Sequence, residues 1–304
     1  MGQTLSEPIT TKKTSSCENS FCRVASSSMQ GWRISMEDAH TVQITVDGDA
    51  THNFFGVYDG HGGTQTAQYT QDRLHAKLVS QPGFKAGDYK DALIKCFVDL
   101  DKEMYEDRSG KFATSGCTAV TMLTKNSTMY CANAGDSRAV LSERGQAVPL
   151  SFDHKPSNEE EMRRIRAAGG FVEFNRVNGT LALSRALGDF EFKCATRLPK
   201  DQMVTAVPEV TVTPLNDNHE FVVLACDGIW DVLTSQEVID FIRPKLAEGL
   251  SPDSICEAIL SKCLAPVTGM GGTGCDNMTI TLVVLLQGQG WGRLIEKCNR
   301  PLTS

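Results

Sequence analysis

Four short apolar runs in this chain each end on, or begin from, an aspartate. Phe54 to Tyr58 leads into Asp59-Gly60-His61-Gly62-Gly63, and Phe221 to Cys226 leads into Asp227-Gly228. Met129 to Ala134 leads through Gly135 to Asp136, and Asp276-Asn277 stands directly before Met278 to Leu286. A strand end holds an aspartate on a rigid ladder, and an adjacent glycine lets backbone or ligand come close. Taken singly, Asp-Gly is a turn signal. Four acids in the same context, converging on one edge, would make an oxygen-rich pocket suited to hard cations such as Mg²⁺ or Mn²⁺. Arg33, Glu37 and Asp38 add a cation and two acids just ahead of another strand, although alone they would read as a solvated cluster. His61 lies among glycines, a more open setting than a core histidine has; the plain alternative is an exposed loop side chain.

The elements that must hold these residues are mostly strands. His40 to Val46 alternates with period two, and Phe54–Tyr58, Thr128–Ala134, Phe221–Ala225 and Thr279–Leu286 have strand length. Helices are marked by their caps. Ser157 to Glu160 and Thr234 to Glu237 read as capping boxes, with Gly169-Gly170 ending the first helix. Ser251-Pro252 gives an N-cap and a proline at the first helical position. Stretches 63–80 and 88–106 also read as helical, and Asn178-Gly179 is a type I′ hairpin signal between 171–177 and 180–183. Strands and helices come in batches, which favours antiparallel sheets with helices outside over a doubly wound parallel fold.

With 304 residues, 40% apolar and 22% charged, the composition is that of a globular protein. The net charge of −7 argues against a nucleic-acid binder, which needs a basic surface. It leaves room for a phosphorylated substrate if cations supply positive charge locally. The longest apolar run, Thr279 to Leu286, is far short of the ~20 residues a membrane span needs. The start of the chain has no apolar core, so no signal peptide is expected. Eleven scattered cysteines without a C-x-x-C pair suggest a reducing, cytoplasmic setting with neither disulfides nor a zinc site. The sequons at Asn126, Asn178 and Asn277 are then expected to stay unmodified. Residues 1–22 read as a flexible polar arm, 23–287 as one domain, and 288–304 as a tail whose Trp291, Leu294 and Ile295 suit a short amphipathic turn.

Taken together, these residues resemble the metal-dependent serine/threonine protein phosphatases of type 2C. The motifs are Gly31-Trp32-Arg33-Ile34-Ser35-Met36-Glu37-Asp38-Ala39, Val57-Tyr58-Asp59-Gly60-His61-Gly62-Gly63, Ser115-Gly116-Cys117-Thr118-Ala119 and Ala134-Gly135-Asp136-Ser137-Arg138-Ala139. Asn178 through Ser184-Arg185 to Gly188-Asp189, Ala225-Cys226-Asp227-Gly228 through Asp231, and Cys275-Asp276-Asn277-Met278-Thr279 complete the set. They follow in family order over about residues 23 to 287, with Cys117 where many members carry serine.

The resemblance implies an α+β fold, a central sandwich of two antiparallel β-sheets flanked by helices on both sides, with two Mg²⁺ or Mn²⁺ ions at one end. Asp59 would bridge the ions, Asp227 and Asp276 would complete one site, and Glu37 with the Gly60 carbonyl the other. Asp136, with Asp227, matches a weaker third metal site. Asp38 would orient metal-bound water, Arg33 would fork onto the phosphate, and His61 would protonate the leaving alkoxide. Residues 171–192 match the flap that borders the site and influences substrate choice. The implied reaction is hydrolysis of phosphoserine and phosphothreonine in proteins by a metal-bridged hydroxide attacking phosphorus in line, without a covalent intermediate. Cys226 lies inside an apolar strand with no C-x-x-x-x-x-R cradle, which disfavours a cysteine nucleophile. The alternatives are an inactive phosphatase fold used as a scaffold, which intact carboxylates oppose, and a phosphohydrolase of small molecules or nucleic acid.

The expected partners are phosphoproteins, with the protein itself a monomer and no nucleic acid bound. Met1-Gly2 to Ser6 fits the M-G-x-x-x-[ST] pattern for N-myristoylation of Gly2, against the alternative of an unmodified polar tail. One such chain gives marginal binding and stable anchoring needs a second signal; Cys17 or Cys22 could carry one, but the sequence does not show it, so a peripheral, reversible membrane association is expected.

Overall fold

The computed structural model describes residues 4–268 and 273–301. Gly2, the expected acylation site, lies outside them. In chain order the strands are β1 (Thr4–Glu18), β2 (Cys22–Arg33), β3 (Ala39–Gln43), β4 (His52–Tyr58), β5 (Gly60–His61), β6 (Gly116–Cys117), β7 (Ala119–Lys125) and β8 (Thr128–Ala134). There follow β9 (Arg138–Glu143), β10 (Gln146–Pro149), β11 (Val172–Glu173), β12 (Arg176–Val177), β13 (Leu187–Gly188), β14 (Glu209–Pro214), β15 (His219–Ala225) and β16 (Met278–Leu285). The helices are α1 (Gln65–Ser80), α2 (Pro82–Ala86), α3 (Tyr89–Glu106), α4 (Glu159–Ala167), α5 (Asp227–Trp230), α6 (Ser235–Ala247), α7 (Pro252–Cys263) and α8 (Trp291–Cys298).

Two antiparallel sheets face each other. One has the order β1-β2-β16-β15-β9-β10, the other β14-β8-β7-β4-β3. Val57, Val120 and Met122 from the second sheet meet Val24, Leu141, Val222, Leu224 and Val283 from the first. Outside, Leu74 and Leu78 of α1 and Leu93 and Phe97 of α3 cover Phe54 and Leu123. Ile239 and Ile242 of α6 and Ile255 and Ile259 of α7 cover Val223 and Leu282. Every residue of β16 is therefore buried, and its sequence is largely apolar because both faces are covered, with the hydroxyls of Thr279 and Thr281 hydrogen-bonded to Asp38 and Ser26. This is the expected α+β sandwich, helices on both sides.

Local signals were realised unevenly. Thr234 and Glu237 form the reciprocal capping box at α6, a device worth about 1 kcal/mol. Ser251 caps α7 with Pro252 in the first turn. The box expected at Ser157 does not form: Asn158 is the N-cap of α4, without a side-chain cap bond. Its Nδ2 instead donates to the Asp153 carbonyl, and three glutamates in the first turn meet the helix dipole. The β11–β12 hairpin turns at Phe174-Asn175, not at Asn178-Gly179, and both turn residues have positive φ. Asn178-Gly179 makes a second tight turn, which brings Leu181 back onto Val177. The strand expected over 40–46 stops at Gln43.

For Thr4–Glu18 the reading as part of a flexible arm is corrected. Thr4–Glu18 is a 15-residue edge strand hydrogen-bonded along β2. It carries few apolar residues because its side chains are mostly exposed, so the hydrophobic pattern that marks other strands is absent. What anchors it is ladder pairing and polar contact: Thr14 Oγ1 lies 2.9 Å from Ser27 Oγ and donates to Glu257 at 2.7 Å. Lys12 and Lys13 along this edge discourage pairing with another chain. Among the described residues no helix is long and apolar enough to cross a membrane, and all eleven cysteines are free.

Candidate metal centre and active site

The acidic residues gather where strand ends meet. Asp59 follows β4, Asp227 follows β15 by one residue, Asp276 precedes β16, and Arg33 ends β2. A cavity of about 520 Å³ takes its lining from Glu37, Asp59, Gly60, Asp227 and Asp276, with Arg33, His61 and Asp136 at its walls. Arg176, Leu181 and Leu183 from the flap segment close one side. Asp38 does not line the cavity. It lies behind it, in a group with Asp59 and Cys226 whose ligand atoms fall within 4.8 Å of one another.

Burial and the neighbouring Asp227, Asp38, Asp136 and Asp276 push the Asp59 carboxyl well above its usual range. Burial, with Asp136 and Asp276, does the same to Asp227. Burial carries Asp38 up to about 7, against hydrogen bonding from Thr279 Oγ1 at 2.7 Å, and its Oδ1 has no partner among the described residues. Such a set of crowded oxygens repels itself and fits divalent cations, whose charge would hold every carboxylate ionised. The donors are all oxygens, as hard cations require. Burial and the same acids hold the Cys226 thiol far above its usual range, so it offers no nucleophilic thiolate.

Arg33 reaches Asp276 through Nη2–Oδ2 at 2.5 Å and is still partly exposed to the cavity. Asn277 sews the adjoining loop in place. Its Oδ1 accepts from Glu37 N at 2.9 Å, and its Nδ2 donates to the Gln30 and Ser35 carbonyls, each at 2.9 Å. His61 belongs to a small sheet of order β13-β6-β5. Its Nε2 meets both carboxylate oxygens of Asp189, which follows β13. Burial lowers the His61 pKa, but the Asp189 hydrogen bond and charge overcome that and leave it raised. Gly116 makes the contact possible: a Cβ there would stand 2.2 Å from Asp189 Oδ2 and 2.5 Å from His61 Nε2.

The predicted residues Arg33, Glu37, Asp59, Gly60, His61, Asp136, Asp227 and Asp276 thus share one cavity, with Asp38 beneath it. Sequence reasoning missed the parts played by Asp189, Asn277 and Lys155. The Lys155 ammonium is paired with Asp136, so the candidate ligand of a third ion already carries a cation. Asp189 and Asn277 stood inside quoted motifs, but contacts at separations of 128 and 240 residues have no periodic signal.

A sandwich of antiparallel sheets with a carboxylate cavity at the strand ends is the frame of a metal-dependent phosphohydrolase. A family model described as protein phosphatase 2C matches residues 22–270. A probable protein phosphatase 2C of Caenorhabditis elegans is 58% identical over 302 residues, covering 99% of this chain and 85% of that protein. Protein phosphatase 2C homolog 3 of Schizosaccharomyces pombe is 52% identical over 290 residues, covering 94% and 70%. The solved serine-threonine phosphatase 2C of Toxoplasma gondii has the same fold, with a TM-score of 0.76 at 22% identity, covering 94% of this chain and 100% of that one. The chain belongs to the protein phosphatase 2C family. Members of this family remove phosphate from serine and threonine in proteins and depend on Mg²⁺ or Mn²⁺; this enzyme is a protein serine/threonine phosphatase of that kind.

Proposed function

We propose that the enzyme hydrolyses phosphoserine and phosphothreonine esters by direct attack of water at phosphorus, without a covalent enzyme intermediate. The observation that carries this reading is the convergence of Glu37, Asp59, Asp227 and Asp276 on one cavity together with Arg33 and His61. Glu37, Asp59, Asp227, Asp276 and the Gly60 carbonyl would hold two Mg²⁺ or Mn²⁺ ions, with Asp136 a ligand for a weaker third. Bound there, the ions would supply positive charge for the phosphate and lower the pKa of water.

The protein's own groups divide the remaining work. Asp38, behind Asp59, accepts a hydrogen bond from Thr279 and keeps a free oxygen to orient a water. The partly exposed Arg33 guanidinium can turn from Asp276 to grip two phosphate oxygens. His61, held by Asp189 through Nε2, keeps Nδ1 for donating a proton to the serine or threonine oxygen as the ester bond breaks. Flap residues Arg176 and Leu181 face the same cavity and would meet the peptide flanking the phosphoresidue. All these groups come from one chain, so a monomer suffices.

A cytoplasmic enzyme that visits membrane surfaces through a myristoyl group on Gly2 completes the reading, on the strength of the Met1-Gly2 to Ser6 pattern. The deciding assay is dephosphorylation of phosphoserine and phosphothreonine peptides with Mg²⁺ or Mn²⁺, with and without chelator. Turnover that survives exhaustive EDTA treatment would overturn the metal-dependent mechanism. For Gly2, mass spectrometry of protein from its native cell should find an added acyl mass; its absence sinks that part alone.

A further inference from the structure

At the opposite end of β15 from Asp227 is a second cavity, of about 280 Å³, with several charged residues in its walls. The strand's seven residues, at ~3.4 Å each, put it about 24 Å from the metal centre. Its walls come from the β9–β10 turn (Arg144), the β14–β15 turn (Asp217, Asn218) and the end of α8 (Lys297, Arg300).

The unusual member is Lys297. The residue is only 4% exposed, and its ammonium is buried with no hydrogen-bond partner among the described residues. An unpaired buried ammonium is costly, and such a group calls for an ion or water to complete it. The nearby acids do not do so. Glu220 is occupied by Arg243 Nε at 3.0 Å, by Ser142 Oγ at 2.7 Å and by Gly145 N at 3.0 Å. Arg243 Nη2 also takes the Lys297 and Arg300 carbonyls at 3.0 and 2.9 Å, so it covers acceptors at the end of α8 that would repel an anion. With Arg243 and Glu220 balancing each other, Arg144, Lys297 and Arg300 face a single remaining acid, the exposed Asp217. The excess is two positive charges around a cavity large enough for a small oxyanion.

We infer that this cavity is a binding site for a phosphate-class dianion, separate from the metal centre, with Lys297 and Arg300 as its principal ligands. Rotation about the terminal bonds of the flexible Lys297 stem brings the ammonium to the anion, and Arg300 approaches from the solvent side. Binding would give the Lys297 charge the counter-ion it lacks in the protein alone. The same chemistry is offered by free inorganic phosphate and by a phosphomonoester side chain.

The test uses the EDTA-treated full chain, so that the metal centre does not retain phosphate. Inorganic phosphate and O-phosphoserine are titrated separately by calorimetry and by thermal melting, against sodium chloride of equal ionic strength. Saturable binding with a raised melting temperature is expected for at least one of them; which one identifies the source of the phosphate group. Arg33→Ala should leave this binding intact. Arg300→Gln should weaken it about tenfold, the worth of one charge-assisted contact. Lys297→Met should abolish it and raise the melting temperature of the anion-free protein. The inference is overturned if neither probe binds, or if binding is unchanged in both Lys297→Met and Arg300→Gln.

Discussion

Nε2 of His61 stands 2.8 and 2.9 Å from the two carboxylate oxygens of Asp189, a bifurcated pair closed over the bare Cα of Gly116. The pair fixes the ring and favours its protonated form, which a proton donor to an alkoxide needs. His61→Gln should lose roughly 10²–10⁴-fold on an alkyl phosphate ester and far less on an activated aryl phosphate. Asp189→Asn should move the alkaline limb of the pH–rate profile to lower pH and cost about tenfold on the alkyl ester at neutral pH. Equal losses on both ester types, or an unmoved alkaline limb, would remove this role.

Asp59 and Asp276 line the carboxylate cavity, and Asp276 also receives Arg33. Asp59→Asn and Asp276→Asn should each weaken Mn²⁺ binding by tenfold or more, with turnover falling in step. Calorimetric titration of Mn²⁺ into the purified variants measures the first effect without relying on activity. Unchanged Mn²⁺ affinity in either variant would show that the ligand is misassigned.

The metal-free protein should carry a pH-dependent penalty at Asp38. Burial raises this carboxyl to about 7, above the ~3.9 of an unfolded chain. Between those values the folded state holds the extra proton, so its advantage is full at low pH and is lost as pH rises through 7. Half-buried His40 and buried His52 and His219 have lowered pKa values and push the other way, so the measurement is a difference. The melting temperature of Asp38→Asn minus that of wild type, both in EDTA, should increase from pH 5 to pH 7.5. Mn²⁺ should shrink the difference at pH 7.5. A difference that is flat with pH would mean that Asp38 is ionised in the metal-free protein.

Lys155 puts its ammonium on Asp136, the candidate ligand for a weaker third ion. A protein cation and a metal ion compete for that carboxylate. Lys155→Met should therefore strengthen the weakest Mn²⁺ binding step several-fold while leaving the tighter steps unchanged. Weaker binding at that step would mean that Lys155 supports the ion indirectly.

The sandwich and the cluster of cavity carboxylates were legible for the same reason: buried strands write themselves as apolar runs, and their ends are marked by Asp59, Asp227 and Asp276. Long-range partners were not. Nothing in the spacing joins His61 to Asp189 or Glu37 to Asn277, because those contacts are created by strands from distant parts of the chain meeting at one edge. β1 escaped notice because an edge strand with solvated side chains needs no hydrophobic period; its stability comes from backbone pairing, which leaves no apolar pattern in the sequence, and Pro8 lies in the stretch where its register is irregular. At Ser157 the capping pattern was present, but the backbone of Ser157 was committed to Asn175 and the helix began at a neighbouring cap.

The pairing of β1 with β2 begins at Thr4 opposite Arg33. The chain thus enters the fold beside Arg33, which lines the carboxylate cavity. An acyl chain carried on Gly2 would tether the enzyme close to its own mouth, turning the cavity toward the lipid surface and limiting reach to phosphoresidues held near that surface. A bulky fusion placed ahead of Thr4 would crowd the same entrance and handicap large phosphoprotein substrates more than short peptides. If Gly2 is acylated, anchorage and substrate choice, usually separate properties of an enzyme, would be joined by the register of one edge strand.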